Sequence, residues 1–482
     1  MVKEIKKLLT PTNIIFLIAL ILIISLGNFL RFKNYAVIPH PGETADEYGF
    51  AWAGLSLIKE GIPESWSGVE SVTRAKGSAA IPYKNIEKEK INVDNIYDNE
   101  PTRPPFSIAK PWFDKPPGFA LLVGGYSYLK GAREYIQTGV GIIRRPMVRL
   151  AVLTTVLLFI LATRLFSKWV GLLSALLYSV VPTAVISSRL AMAENGYIPI
   201  FLGALILMDY YLKKKKEIYL TLAAILAALA ILFKLSGISV LLSLLLVLAL
   251  YHPKKDKLKK LTKTFLIGIS GLIAFFVYGA IIDWKVFMDV FVAQSNLFYG
   301  AGADILFSVI IRNSIADFFT SGWILLGWIS AFIISFSEWK KERGSTIITI
   351  ALMSYLIVFL FFGSEGYGWY RFPFIPFLII SISRLVERLY LKPNLFVIFS
   401  LFILPLGVSL HKIFGQAGFQ SFIGLYRLLF LFVLSIFGLD LLFSKKFEWG
   451  KRLVLVLLLA LGMFFAAREF YLHTYETWFY IT

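Results

Sequence analysis

Seven side chains in this sequence have the type and the setting to do chemistry. Asp46 and Glu47 stand together in Thr44-Ala45-Asp46-Glu47-Tyr48. Asp114 and Lys115 open Asp114-Lys115-Pro116-Pro117-Gly118. Glu194 lies in Arg189-Leu-Ala-Met-Ala-Glu194-Asn195-Gly196, and Lys234 interrupts the apolar run Ala-Ile-Leu-Phe233-Lys234-Leu-Ser236-Gly237. Arg371 enters Gly368-Trp369-Tyr370-Arg371-Phe372-Pro373-Phe-Ile-Pro376. A carboxylate can take a proton from a hydroxyl or an amine as general base. An ammonium such as that of Lys115 can bind phosphate as a point charge, and a guanidinium can bind it bidentately. Each residue also has a plainer reading. Asp46 and Glu47 would complement the dipole of a helix they begin, Lys115 would be a solvated lysine entering a helix, and Glu194 would cap a span. Lys234 would snorkel to a nearby surface, and Arg371 would anchor a span at the interface. Charge at span depth is nevertheless costly, which makes Lys234 a functional candidate by default.

The elements that must position these groups are membrane spans. The chain has 482 residues, 57% of them hydrophobic and only 16% charged, with a mean hydropathy of +0.72. Apolar runs long enough to cross a hydrocarbon core of ~30 Å recur throughout. We expect an all-α polytopic membrane protein with about thirteen transmembrane helices, near 13–31, 146–164, 169–186, 196–212, 218–234, 236–251, 264–282, 318–337, 345–363, 371–389, 394–411, 424–443 and 451–467. Three regions follow: a first span (1–31), a large extracytoplasmic loop (32–145) and a membrane domain (146–482) of about twelve further spans. Within the loop, residues 45–60 read as a helix behind the capping pattern Thr44-x-x-Glu47. Residues 116–130 read as a second, with prolines in its first turn and Gly131 beyond its end. Between them, 62–113 reads as irregular.

Charge orients the spans. The formal net charge is +19, yet residues 32–145 hold fourteen Lys/Arg against thirteen Asp/Glu. The excess sits in short connectors such as Lys213-Lys214-Lys215-Lys216 and 254–263. That is the positive-inside pattern; a nucleic-acid stripe would be continuous, so no nucleic-acid partner is expected. The N-terminus is expected in the cytoplasm and the long loop outside the cell membrane. There is no cysteine, and the four histidines are scattered without paired spacing, so the signal for a metal is weak. No Walker or Rossmann fingerprint appears.

With this topology all seven residues fall on the outer face. Carboxylates and cations gathered there fit attack at the anomeric carbon of a sugar carried on a polyprenyl phosphate. Its leaving group is already a phosphate and needs cations rather than an acid. A transporter or flippase of lipid-linked sugars is the alternative; it predicts charge at mid-membrane depth and related halves, and no internal repeat is seen.

These residues, taken in order, resemble the C-type (GT-C) membrane glycosyltransferases of the protein O-mannosyltransferase and lipid A aminoarabinose transferase type. The resemblance rests on Asp46-Glu47-Tyr48, Lys115-Pro116-Pro117, Arg149-Leu150 to Arg164, Ser188-Arg189-Leu190 to Glu194, and Ala-Ile-Leu-Phe-Lys234, with Tyr370 to Pro376 looser. It implies the GT-C fold and inverting transfer of a monosaccharide from a polyprenyl-phosphate donor to a hydroxyl or amine of a lipid, protein or glycan. By the same resemblance Asp46 is the base with Glu47 beside it, and Lys115, Lys234 and Arg371 contact the donor phosphate. Glu194 aligns with an acid that is more often Asp. Asp114 stands where some relatives ligate a metal, so a divalent metal is left open there and no cofactor is certain.

Overall fold

A computed structural model describes residues 11–39, 46–66, 90–91, 106–295, 309–310, 321–361, 368–443 and 448–472. The helices are α1 (Pro11–Phe32), α2 (Asp46–Glu60), α3 (Pro117–Leu129), α4 (Val140–Ile143), α5 (Arg145–Leu165), α6 (Lys168–Val180), α7 (Pro182–Ser187) and α8 (Ala193–Lys214). They continue as α9 (Glu217–Phe233), α10 (Ile238–Tyr251), α11 (Lys257–Ser295), α12 (Gly322–Glu338), α13 (Arg343–Phe361), α14 (Ile375–Leu391), α15 (Leu395–Phe443) and α16 (Glu448–Leu472). Among the described residues, eight helices are long and apolar enough to cross a bilayer, and shorter apolar ones lie beside them at Lys168–Val180, Glu217–Phe233, Leu235–Tyr251 and Gly322–Glu338. The chain is an integral membrane protein of all-α polytopic architecture; the number of spans beyond these eight rests on the sequence. The outward faces are apolar, as lipid requires, with Ile15, Leu22 and Phe29 of α1 exposed along one side.

Two of these helices are folded on themselves. In α11 the backbone leaves helical geometry at Asp283. The Asp283 carboxylate accepts the N–H of Val286 and starts the returning stretch. Phe275 then meets Phe287 at 5.0 Å, and Phe276 meets Phe291 at 5.1 Å. The sequence suggested a loop at 412–423, but the chain stays helical there. It doubles back all the same. Phe399 and Phe430 are 4.9 Å apart, where a straight helix would separate them by about 46 Å.

The two loop helices expected from the sequence are present as α2 and α3; Thr44 lies outside the described residues. They cross backbone on backbone. A Cβ on Gly54 would stand 1.8 Å from the carbonyl oxygen of Ala120, and one on Gly124 would stand 2.4 Å from the carbonyl carbon of Gly54. Only glycine permits this approach. Gly54→Ala should therefore cost about 3 kcal/mol, the upper end for overpacking, read as a lowered Tm in detergent. Gly125→Ala is the control: its nearest contact would be a methyl of Ile58 at 3.5 Å, so it should leave Tm unchanged or raise it slightly.

The region read as irregular contains a small antiparallel sheet. Strands β1 (Ser65–Trp66), β2 (Lys90–Ile91) and β3 (Phe106–Ala109) lie in the order β1-β3-β2, with Ser65 opposite Ala109 and Lys90 opposite Ser107. The Trp112 N–H donates to Pro63 O at 2.8 Å, and Lys110 bridges Glu60 and Glu64 at 2.8 and 2.9 Å. Strands of two to four residues carry no periodicity a sequence could display.

The core has two parts. One fills the helical bundle. The other joins α2 and α3 to the folded end of α11 through Phe50, Trp52, Phe113, Phe119, Phe275 and Phe287. At the opposite end of the bundle, the fully buried Asp209 takes Arg164 at 2.6 Å, Lys213 at 3.0 Å and Arg343 at 3.0 Å, fastening α5, α8 and α13 together.

Candidate active site

Close backbone contacts bring the charged residues to one end of the bundle. A Cβ on Gly118 would lie 2.7 Å from the carbonyl oxygen of Leu232, so the start of α3 rests against the end of α9. Lys115 stands three residues before that contact and Lys234 two residues after it. Gly196, in the first turn of α8, has no room for a side chain against Phe119 and Phe233, which sets Glu194 there as well. The prolines of Lys115-Pro116-Pro117 fix the entry to α3, with Pro117 its first residue.

Lys234 is buried, and its ammonium pairs with the buried Glu194 carboxylate. The same ammonium lies 3.7 Å from the ring centroid of Tyr370. Tyr370 is held in turn: Tyr355 donates its hydroxyl to the Tyr370 carbonyl at 2.5 Å. Lys234 is thus neither a snorkelling lysine nor a lone charge. A carboxylate and an aromatic face offset the cost of its desolvation. The turn that follows is tight, because a Cβ on Gly237 would fall 2.2 Å from the Ala230 carbonyl oxygen. Tyr197 closes it from α8, its hydroxyl 3.4 Å from Ser236 Oγ.

Asp46 begins α2 and is partly buried. Burial pushes its carboxyl above the usual carboxylate range. The positive charges of Lys115 and Lys234 pull it back, and the negative charges of Glu194 and Glu47 push it up again. Asp46 is therefore in electrostatic reach of four of the other six candidates. The sign gives a test. Removing a nearby cation leaves the upward push less opposed, so Lys115→Met should move the acid limb of any Asp46-dependent activity to higher pH. The pH profile of turnover checks this independently of the absolute rate.

Glu47 points elsewhere. Its carboxylate is buried and takes Arg144 Nε at 3.0 and 2.9 Å and Arg144 Nη2 at 2.7 Å. It also accepts the Ala191 N–H at 2.6 Å. Arg144 donates Nη1 to the carbonyls of Tyr35 and Pro39, both at 2.9 Å. One guanidinium, fully buried, thereby ties the start of α2, the end of α1 and the segment before α8. Sequence reasoning missed Arg144. In Arg144-Arg145-Pro146 nothing distinguishes the buried arginine from its neighbour, which is exposed.

The segment leading to Glu194 is fixed by further arginines. Arg31 donates to Ser188 Oγ at 2.7 Å and to Tyr178 O at 2.6 Å, and Arg189 donates to Lys33 O at 2.8 Å. Asn195 returns two bonds, to Ser187 O and Leu190 O. Arg371 is buried and lines a small cavity with Thr183, Ile324, Trp328, Phe374 and Leu378, one residue from the Tyr370 ring that covers Lys234. Asp114 is partly buried between Phe113 and Lys115. Among the described residues no three of His, Cys, Asp and Glu gather as metal ligands.

The model for the family dolichyl-phosphate-mannose-protein mannosyltransferase matches residues 114–280. No curated protein sequence matches the chain. Among solved structures, apo ArnT from Cupriavidus metallidurans is similar over 94% of this chain and 76% of that one, at 14% identity and a TM-score of 0.56. ArnT of the same organism bound to undecaprenyl phosphate gives the same coverage and identity with a TM-score of 0.54. The chain has the GT-C fold. The apo oligosaccharyltransferase of Archaeoglobus fulgidus is also similar, over 96% of this chain but 56% of that one, at 12% identity and a TM-score of 0.53. In this GT-C chain the family match begins at Asp114 and takes in Lys115, Arg144, Glu194 and Lys234; Asp46 and Arg371 lie outside it.

Proposed function

We propose that the protein transfers a monosaccharide from a polyprenyl-phosphate donor to a hydroxyl or amine acceptor on the outer face of the cell membrane, with inversion. The observation that carries this reading is the joint placement of Asp46, Lys115, Lys234 and Glu194. One carboxylate raised by burial sits among cations, at a bundle end carrying interfacial helices. The ArnT structure with undecaprenyl phosphate and the mannosyltransferase family model support a lipid-phosphate donor.

In the proposed step the acceptor oxygen or nitrogen forms a bond to the anomeric carbon as the bond from that carbon to the phosphate oxygen breaks. The acceptor proton passes to Asp46, and the electron pair leaves on polyprenyl phosphate. The leaving phosphate gains negative charge, which Lys115 and Lys234 face, with Arg371 a third cation near Tyr370. Preorganised charge of this kind is worth about 10²–10³ in rate per group removed. Glu194 keeps Lys234 charged and aimed, and Glu47 with Arg144 holds the start of α2. The apolar walls between helices, including the cavity at Arg371, suit a prenyl chain.

The test is donor turnover. Purified protein in nanodiscs receives a panel of polyprenyl-phosphate sugars with cell extract as acceptor, and released polyprenyl phosphate is followed by mass spectrometry. Release from one donor class supports the reading and names the sugar. No release from any donor overturns it.

A further inference from the structure

A second cationic group lies at the same end of the bundle and takes no part in the step above. Arg145 and Arg149 are exposed and one turn apart at the start of α5. Lys130, just past the end of α3, is exposed beside them. All three gather around Tyr126. Arg149 lies 5.5 Å and Lys130 5.7 Å from the centroid of its ring, and Arg145 interacts with Tyr126 as well as donating to the Tyr35 hydroxyl at 3.3 Å. None of the three forms an ion pair with a described carboxylate, in contrast to Arg144 next door.

One feature makes this arrangement costly without an anion. Arg145 and Arg149 sit on the lipid-facing stripe of their helix. Leu153, one turn beyond Arg149, is 46% exposed, and on the adjoining helix Leu121 and Leu129 are 41% and 82% exposed. Apolar side chains exposed beside a span face acyl chains, so the three cations stand at the depth of the headgroups. Arginine forks match phosphate oxygens bidentately, and tyrosine is at home at that depth.

We propose that Arg145, Arg149 and Lys130 form a binding site for the headgroup phosphate of an acidic phospholipid of the surrounding bilayer, with Leu129 and Leu153 against its acyl chains. The site does not depend on the transfer reaction. It requires only that α5 spans the membrane. The lipid neutralises the misplaced charge at the start of α5, one residue from Arg144.

The experiment uses full-length protein in detergent titrated with phosphatidylglycerol or phosphatidylcholine, with retained lipid counted by native mass spectrometry. The Arg145→Gln/Arg149→Gln variant should bind phosphatidylglycerol about 30-fold more weakly, from the usual worth of each basic residue near an anionic lipid. It should bind phosphatidylcholine as the wild type does. Arg145→Lys/Arg149→Lys keeps the charge and loses the forks, and should fall in between. A connector control, Lys254→Gln/Lys255→Gln/Lys257→Gln, removes three cations elsewhere and should leave the tightest phosphatidylglycerol in place. Equal binding by wild type and the Gln variant overturns the site, as does an equal loss in the connector control. If the Gln variant elutes aggregated, the Lys variant decides: wild-type affinity for phosphatidylglycerol overturns the site, and a several-fold loss supports it.

Discussion

Asp46→Asn should lower release of polyprenyl phosphate by about 10²–10⁴-fold, the range for a lost general base. Asparagine keeps the size of the side chain and its hydrogen-bonding oxygen but cannot take up the acceptor proton. The loss should fall on kcat. Removing a negative charge near Lys115 and Lys234 takes away repulsion toward the donor phosphate, so donor KM should stay level or drop, as expected when an interaction made only in the transition state is lost. The pH profile carries the sign. A base works deprotonated, and burial raises the Asp46 carboxyl above its ordinary range. Wild-type activity should then fall on acidification sooner than an exposed aspartate would dictate, and the residual activity of Asp46→Asn should lack that limb. Steady-state assays across pH on both proteins measure all three quantities. A wild-type kcat in Asp46→Asn would remove the residue from the mechanism.

The second large effect belongs to a residue that touches no substrate. Arg144→Leu leaves the Glu47 carboxylate buried without its guanidinium, a change that costs about 3–5 kcal/mol. The Tyr35 and Pro39 carbonyls lose a donor in the same step. The double variant Arg144→Leu/Glu47→Leu should recover much of that loss, because burying neither charge costs less than burying one alone. Unfolding in detergent of wild type, both singles and the double closes a double-mutant cycle. Additive losses would mean the pair is not a pair. Restored stability in the double without restored turnover would show that the clamp also aims Asp46, its neighbour in α2.

What the sequence displayed and what it hid differ in kind. The spans announced themselves because an apolar run is a local property, Glu194 and Lys234 stood out because charge amid such runs is rare, and Asp46 and Lys115 stood out through the motifs Thr44-Ala45-Asp46-Glu47 and Lys115-Pro116-Pro117. Their meeting at one end follows from topology alone. The pairing of Lys234 with Glu194, forty positions apart, does not; it needs Gly196 against Phe119 and Phe233. Arg144 was invisible because its partners lie near residues 35, 39 and 47, and no local pattern links them. The fold-back of α15 was legible as the break between spans ending at 411 and starting at 424, and the chain does double back there; it stays helical across the break, where Phe414 to Ile423 carries no proline and only two glycines.

The clip formed by β1, β3 and Lys110 has a consequence for how such a chain can diversify. Residues 65 and 109 are opposite each other, so everything threaded between them enters and leaves through one paired neck. Lengthening a stretch between two paired ends adds a closure cost. That cost grows by only about 0.6 kcal/mol for each doubling of length, and the neck is already held by Trp112 and by the two carboxylates on Lys110. A change of length between residues 65 and 109 therefore costs little stability as long as Ser65 stays paired with Ala109.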